Sequence, residues 1–193
     1  QTCALPITPL EGCLNRYRLA LAAPLPEPVA DAARRALVDW FAVGISGMQD
    51  PEARALAGCV RLWQTRGHSP TLDGERVAPV AAALVNGAAA HTLDFDDFHI
   101  ASLLHPGAPT FAAVLALGYG QRQSGERMLA AFAAGFEVGA WCGLDGVGEQ
   151  LAQRGWHPTS ILGHLSAAAG AAAILQLDDE QCLVAMGLSA VQA

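Results

Sequence analysis

The sequence contains no lysine; all eleven of its basic residues are arginine. Schiff-base chemistry and a P-loop lysine are therefore excluded for this stretch. Charge of either sign is sparse, at 15% of residues, and the formal net charge is −7. Phosphate recognition needs clustered cations, so this balance argues against a nucleic-acid partner. A surface with so little charge is expected to be covered in part by another subunit or by further chain. The five cysteines (Cys3, Cys13, Cys59, Cys142 and Cys182) are odd in number and form no CxxC pair. That pattern fits neither a disulfide framework nor a structural zinc site, and predicts free thiols, buried or half-buried, in a reducing cytoplasm. Residues 1–25 carry Glu11, Arg16, Arg18 and several prolines, unlike a signal peptide. The apolar run over residues 161–177 is mostly alanine and glycine and is interrupted by His164, Ser166 and Gln176. Alanine is too weakly apolar for a membrane span, so a buried helix is expected there and no membrane partner.

What is abundant is apolar: 52% of 193 residues, enough for one full core and hence a single domain over residues 1–193. Prolines 6, 9, 24, 26 and 28 predict an extended, irregular lead-in over residues 1–26. From Pro28 an apolar stripe through Ala33, Leu37, Trp40 and Gly44 predicts a first helix with Gly47 as its stop. Asp50 and Pro51 then punctuate the start of a second, closed by Gly67. Pro79 opens a third that frays around residues 94–98, a short fourth spans residues 110–121, and Ser124 caps a fifth. A sixth starts at Thr159 or Ser160, and Asp178 with Gln181 forms a capping box for a seventh that is still running at Ala193. Strand-like alternation is confined to weak hints near residues 71–77, so the class is all-α, with glycines allowing close helix packing.

Ionisable groups are rare, and they cluster. Residues 91–105 read HTLDFDDFHIASLLH, three histidines and three aspartates in fifteen positions. On a continuing helix His91 and Asp94 share a face, as do Asp94 and Asp97. His105 follows in a Pro/Gly-rich loop, and His157 stands at a helix N-terminus in GWHPTS, where free N–H groups and the hydroxyls of Thr159 and Ser160 favour a carboxylate. His91 is expected to be structural and to face its own helix, Asp96 to be solvated or capping, and His68 and His164 to do no chemistry. Three chemistries fit the cluster. Histidine and aspartate can hold zinc, manganese or iron, though no HExxH occurs. The residues Asp94-Phe95-Asp96-Asp97 match the short DxDD acid motif of terpene cyclases. Metal-free general acid–base work by histidines near neutral pH, with an aspartate orienting them, is the third. Ser-His-Asp nucleophilic catalysis lacks a GxSxG and ranks last.

The runs AALVNGAAAHTLDFDDFH, HPGAPTFAAVLAL and GWHPTSILGHLSAAAGAAAILQLDDEQ resemble, in order and separation, the MmgE/PrpD family. ALVDWFAVGISG and GERMLAAFAAGFEV are similar to its counterparts as well, so the resemblance extends from about Arg16 to the last residue. It implies a large helical domain joined to a smaller α/β lid, with the active site between them, commonly in a homodimer. Members include 2-methylcitrate dehydratase, cis-aconitate decarboxylase and iminodisuccinate epimerase, which need neither metal nor organic cofactor. The reaction implied is proton transfer at a carbon beside a carboxylate of a small di- or tricarboxylate. Carried over by motif, Asp94 of LDFDD, His105 of HPG and His157 of GWHPTS are the catalytic group. The two histidines act as acid and base, or one binds a carboxylate, while Asp94 orients its neighbour and keeps it protonated. Asp97, His99, Thr159 and Ser160 are expected to contact the substrate.

Two departures from the family pattern stand out. Phe98 occupies a position where many members have a small hydroxyl residue, and two residues are inserted before His105. Family enzymes also carry a lysine and a lid beyond the point where this chain ends. The stretch is thus expected to be truncated before the lid, with a second chain supplying the rest if catalysis occurs. The competing expectation is a catalytically incomplete helical module that acts by association.

Overall fold

The computed structural model describes residues 9–22 and 24–192. The expectations for residues 1–8, Cys3 included, lie outside them. Among the described residues the chain is all-α, with helices α1 (Pro9–Leu21), α2 (Glu27–Gly47), α3 (Pro51–Arg61), α4 (Pro79–His91), α5 (Gly107–Gly120), α6 (Gly125–Gly143), α7 (Val147–Gln153), α8 (Pro158–Leu175) and α9 (Asp179–Ala190). The strand hint near residues 71–77 is a minimal hairpin, β1 (Ser69–Pro70) against β2 (Arg76–Val77), antiparallel with Ser69 opposite Val77.

Punctuation by capping residues works as expected. Glu52 N–H donates to the Asp50 carboxylate, Arg127 N–H to Ser124 Oγ, and Asp178 and Gln181 close a reciprocal capping box. Elsewhere the local signals mislead. Much of the expected extended lead-in is α1, because Cys13, Leu14 and Tyr17 bury one stripe in the core and tertiary contact overrides the flanking prolines. Helix α3 stops at Arg61, six residues before Gly67, where Gln64 turns the chain through a left-handed conformation. Helix α5 begins at Gly107, because Pro109 falls in its first turn, where a missing N–H costs nothing. The linker after α6 contains the unforeseen short helix α7, entered through left-handed Gly146. Helix α9 ends at Ala190, with Val191 as its C-cap; the expectation for Ala193 lies outside the described residues.

Helices α5, α6 and α8 pack on one another at the centre. Closeness there depends on missing side chains: a Cβ on Gly139 of α6 would fall onto Ser166 Oγ of α8. By length and composition α8 could cross a membrane, and ten of its eighteen residues are buried in this fold. Helices α1 and α9 flank one side of the centre, sharing a core with Val114, Val138 and Ile174. On the other side α2 and α4 close a second core around Trp40, Phe111 and Phe132, the two phenyl rings stacking 3.7 Å apart. Because α4 packs on α5, and α5 on α8, three helix ends are held together: the C-terminus of α4 and the N-termini of α5 and α8.

Candidate active site

Three histidines meet at that junction. His91 is the last residue of α4, His105 lies two residues before α5, and His157 is the N-cap of α8. The His91 and His157 rings stack at 5.1 Å, and His91 and His105 meet edge-on at 4.9 Å. Asp96 joins them from below. Its carboxylate lies 3.0 Å from His91 Nδ1 and 3.2 Å from His105 Nδ1, with the side chain only 1% exposed. The His91 contact is a hydrogen bond, whereas the His105 contact is an ion-pair approach whose angle leaves that nitrogen without a hydrogen-bond partner. On the open side Asp94, 79% exposed, stands 3.7 Å from His105 Nε2.

Local chain geometry explains the convergence. Helix α4 stops at His91, and Asp94 adopts a left-handed backbone (φ 51°) that turns the chain back on itself. Aspartate tolerates that conformation better than most residues. The turn drops Asp96 beneath the helix end, so the shared helix face expected for His91, Asp94 and Asp97 does not form. The following segment returns through an isolated antiparallel bridge, His99 to Leu104, which presents His105. Leu103 is left-handed within this bridged turn.

The remaining expected residues hold the site's frame. Both carboxylate oxygens of Asp97 accept the Gly107 N–H, at 2.9 and 3.1 Å, anchoring the start of α5. A Cβ at Gly107 would collide with that carboxylate. Thr159 Oγ1 accepts the His105 N–H at 3.0 Å, tying the His105 loop to α8, and Ser160 Oγ donates to the His157 carbonyl at 2.9 Å. His99 Nδ1 is 2.7 Å from Ser102 Oγ, with its ring 5.6 Å from Phe136. Phe98 lays its ring 4.8 Å from His105 and is half exposed.

Two residues that the sequence suggests are structural or solvated stand at the centre. His91 does not face its own helix: it bonds Asp96, and its Nε2 lies 2.8 Å from His157 Nε2. Asp96 is neither solvated nor a cap. The available signal was the end of α4: a helix stopping at His91 lets a carboxylate five residues on reach back, whereas a helix fraying at residues 94–98 does not.

The electrostatics divide the pair. The hydrogen bond to the Asp96 carboxylate raises the His91 pKa above the usual histidine value, against desolvation. Desolvation, together with neighbouring His91 and His105, lowers that of His157. These directions set a histidine that holds its proton more tightly beside one that holds it less tightly, across a 2.8 Å Nε2–Nε2 contact. Two helix N-termini with partial positive charge face the same junction, an environment that favours a bound carboxylate. One ligand atom each from His91, Asp94, Asp96 and His105 lie within 4.8 Å of one another, so these four could also hold a metal ion. An apolar groove of about 610 Å³ between α1, α2 and α6 contains none of these residues.

The sequence model of the MmgE/PrpD N-terminal domain matches residues 20–193. The chain is 30% identical over 177 residues to a cis-aconitate decarboxylase-like protein of Aspergillus oryzae, covering 88% of this chain and 37% of that protein. It is 26% identical over 175 residues to a cis-aconitate decarboxylase of Aspergillus terreus and 29% over 178 residues to that of Mus musculus, covering 88% of this chain and 36% of each protein. The chain thus spans little more than a third of the length of these relatives. It belongs to the MmgE/PrpD family as an N-terminal domain, and that family includes lyase-type enzymes.

Proposed function

We propose that this domain supplies the acid–base group of a lyase that moves protons beside a carboxylate of a small di- or tricarboxylate, by dehydration or decarboxylation. One observation carries the reading: three imidazoles gathered over one buried carboxylate, where two helix N-termini meet. Acid–base work is favoured where neighbouring groups differ in proton affinity, and His157 is shifted down while adjacent His91 is shifted up. His105 and His157 act as acid and base with His91 between them, or one of them grips a substrate carboxylate. Asp96 orients His91 and His105, and Asp94 orients His105. The exposed Phe95, Phe98, Ile100 and Trp156 around the junction fit a site closed by further protein, as in a longer polypeptide or a homodimer. Proton transfer by these groups needs no cofactor.

The test is a titration of the 193-residue chain, prepared without chelator, with 2-methylcitrate, citrate, cis-aconitate and iminodisuccinate in turn. The imidazole C–H signals are followed by proton NMR. With at least one acid, His91, His105 and His157 are expected to shift saturably while His68 and His164 stay still. Uniform shifts in all six histidines, or none, would overturn the assignment. A stoichiometric metal in the purified protein would instead assign His91, Asp94, Asp96 and His105 to a metal centre.

A further inference from the structure

Away from the histidine junction, Cys13 of α1 and Cys142 of α6 place their sulfurs 3.3 Å apart. Both are free thiols; Cys13 is 1% exposed and Cys142 is half-buried. The approach is built into the two helices. One residue before Cys13, Gly12 lies so close to Trp141, the neighbour of Cys142, that a Cβ would fall onto the indole ring. A bulkier residue at Gly12 would push α1 away and separate the sulfurs. Closing 3.3 Å to a disulfide length of about 2.05 Å needs movement of about an ångström, within reach of side-chain rotation.

We propose that Cys13 and Cys142 are an oxidation site that hydrogen peroxide closes to an intramolecular disulfide, fastening α1 to α6. The balance is simple. The Cys13 sulfur attacks one peroxide oxygen; the O–O bond breaks, the second oxygen leaves as water with the thiol proton, and Cys13 becomes a sulfenic acid. The Cys142 sulfur then attacks the Cys13 sulfur, the S–S bond forms, and the hydroxyl departs as water with the Cys142 proton. Two thiols are oxidised and one peroxide is reduced to two waters. Either sulfur can take the first step, since the contact has no fixed donor, and the product is the same disulfide with the roles exchanged. Helix α1 packs chiefly on α6 and α9, so a cross-link spanning 129 residues fixes an outer helix otherwise held by side-chain packing and the exposed Arg18–Asp179 ion pair.

The experiment treats the folded chain with hydrogen peroxide, then counts thiols after unfolding and maps linked peptides by mass spectrometry. The count is expected to fall from five to three, with the loss of two hydrogens and a Cys13–Cys142 peptide pair. The unfolding midpoint should rise and return on reduction. Cys142→Ser, at the less buried position, should keep the unoxidised midpoint and abolish the peroxide-induced rise. Peroxide-treated protein that retains both thiols, links Cys13 to Cys182, joins chains only through exposed Cys59, or carries sulfinic acid on Cys142 alone would overturn the proposal.

Discussion

Replacing Asp96 by asparagine is expected to lower turnover about a hundredfold or more, in a polypeptide of the relatives' length that carries this chain. The carboxylate accepts from His91 and lies against His105 on its other flank, with almost no access to water. A carboxamide of the same shape offers one oxygen, so its NH₂ must face one of the two imidazoles. His91 would also lose the partner that raises its pKa. A histidine that needs its proton then loses it at lower pH, so the alkaline limb of the pH profile moves downward. Histidine signals in the variant, followed against pH, check this separately from the rate. Loss of rate with unmoved His91 titration would mean that Asp96 acts only through folding; turnover within a few-fold of the parent would remove it from the site.

The second large effect is on stability and comes from Asp97. Burial pushes its carboxyl up to about 7 from 3.8; Asp96 and Asp39 add to the shift, while the Gly107 N–H and His91 oppose it. The folded state therefore holds a proton that the unfolded chain has already released. Between those two values the native protein binds more protons, so stability falls as pH rises through the window. The cost is absent below the unfolded value and complete above about 7, with an upper bound of about 4 kcal/mol. Asp97→Asn keeps an oxygen for the Gly107 N–H and cannot ionise. Urea unfolding should show the variant equal to the parent at acid pH and more stable above neutrality. Parallel stability curves across that range would contradict a buried, proton-holding Asp97.

Where one residue decides a local outcome, the sequence is a good guide. Asp50, Ser124 and Asp178 cap their helices as expected, since each side chain meets a backbone N–H within three residues. Where distant packing decides, it is not. Helix α1 forms because Cys13, Leu14 and Tyr17 find α6 and α9, and nothing local to its prolines shows that. The candidate site divides in the same way. His105 and His157 stand out in their motifs, and the structure brings both to one junction. His91 and Asp96 become central only once α4 ends at His91 and left-handed Asp94 folds the next residues under it, a geometry that helix periodicity conceals. Thr159 stands in a legible motif too, but that its hydroxyl oxygen accepts the His105 backbone N–H shows only in the fold.

The measurement closest to the central claim is turnover of cis-aconitate, 2-methylcitrate, citrate and iminodisuccinate by His105→Ala and His157→Ala variants, made in a polypeptide of the relatives' length and read by proton NMR. If these imidazoles move the proton, each variant loses about a hundredfold or more on whichever acid the parent consumes, while its helical spectrum is retained. Turnover within a few-fold of the parent in both variants would contradict the account and send the search for the acid and base elsewhere.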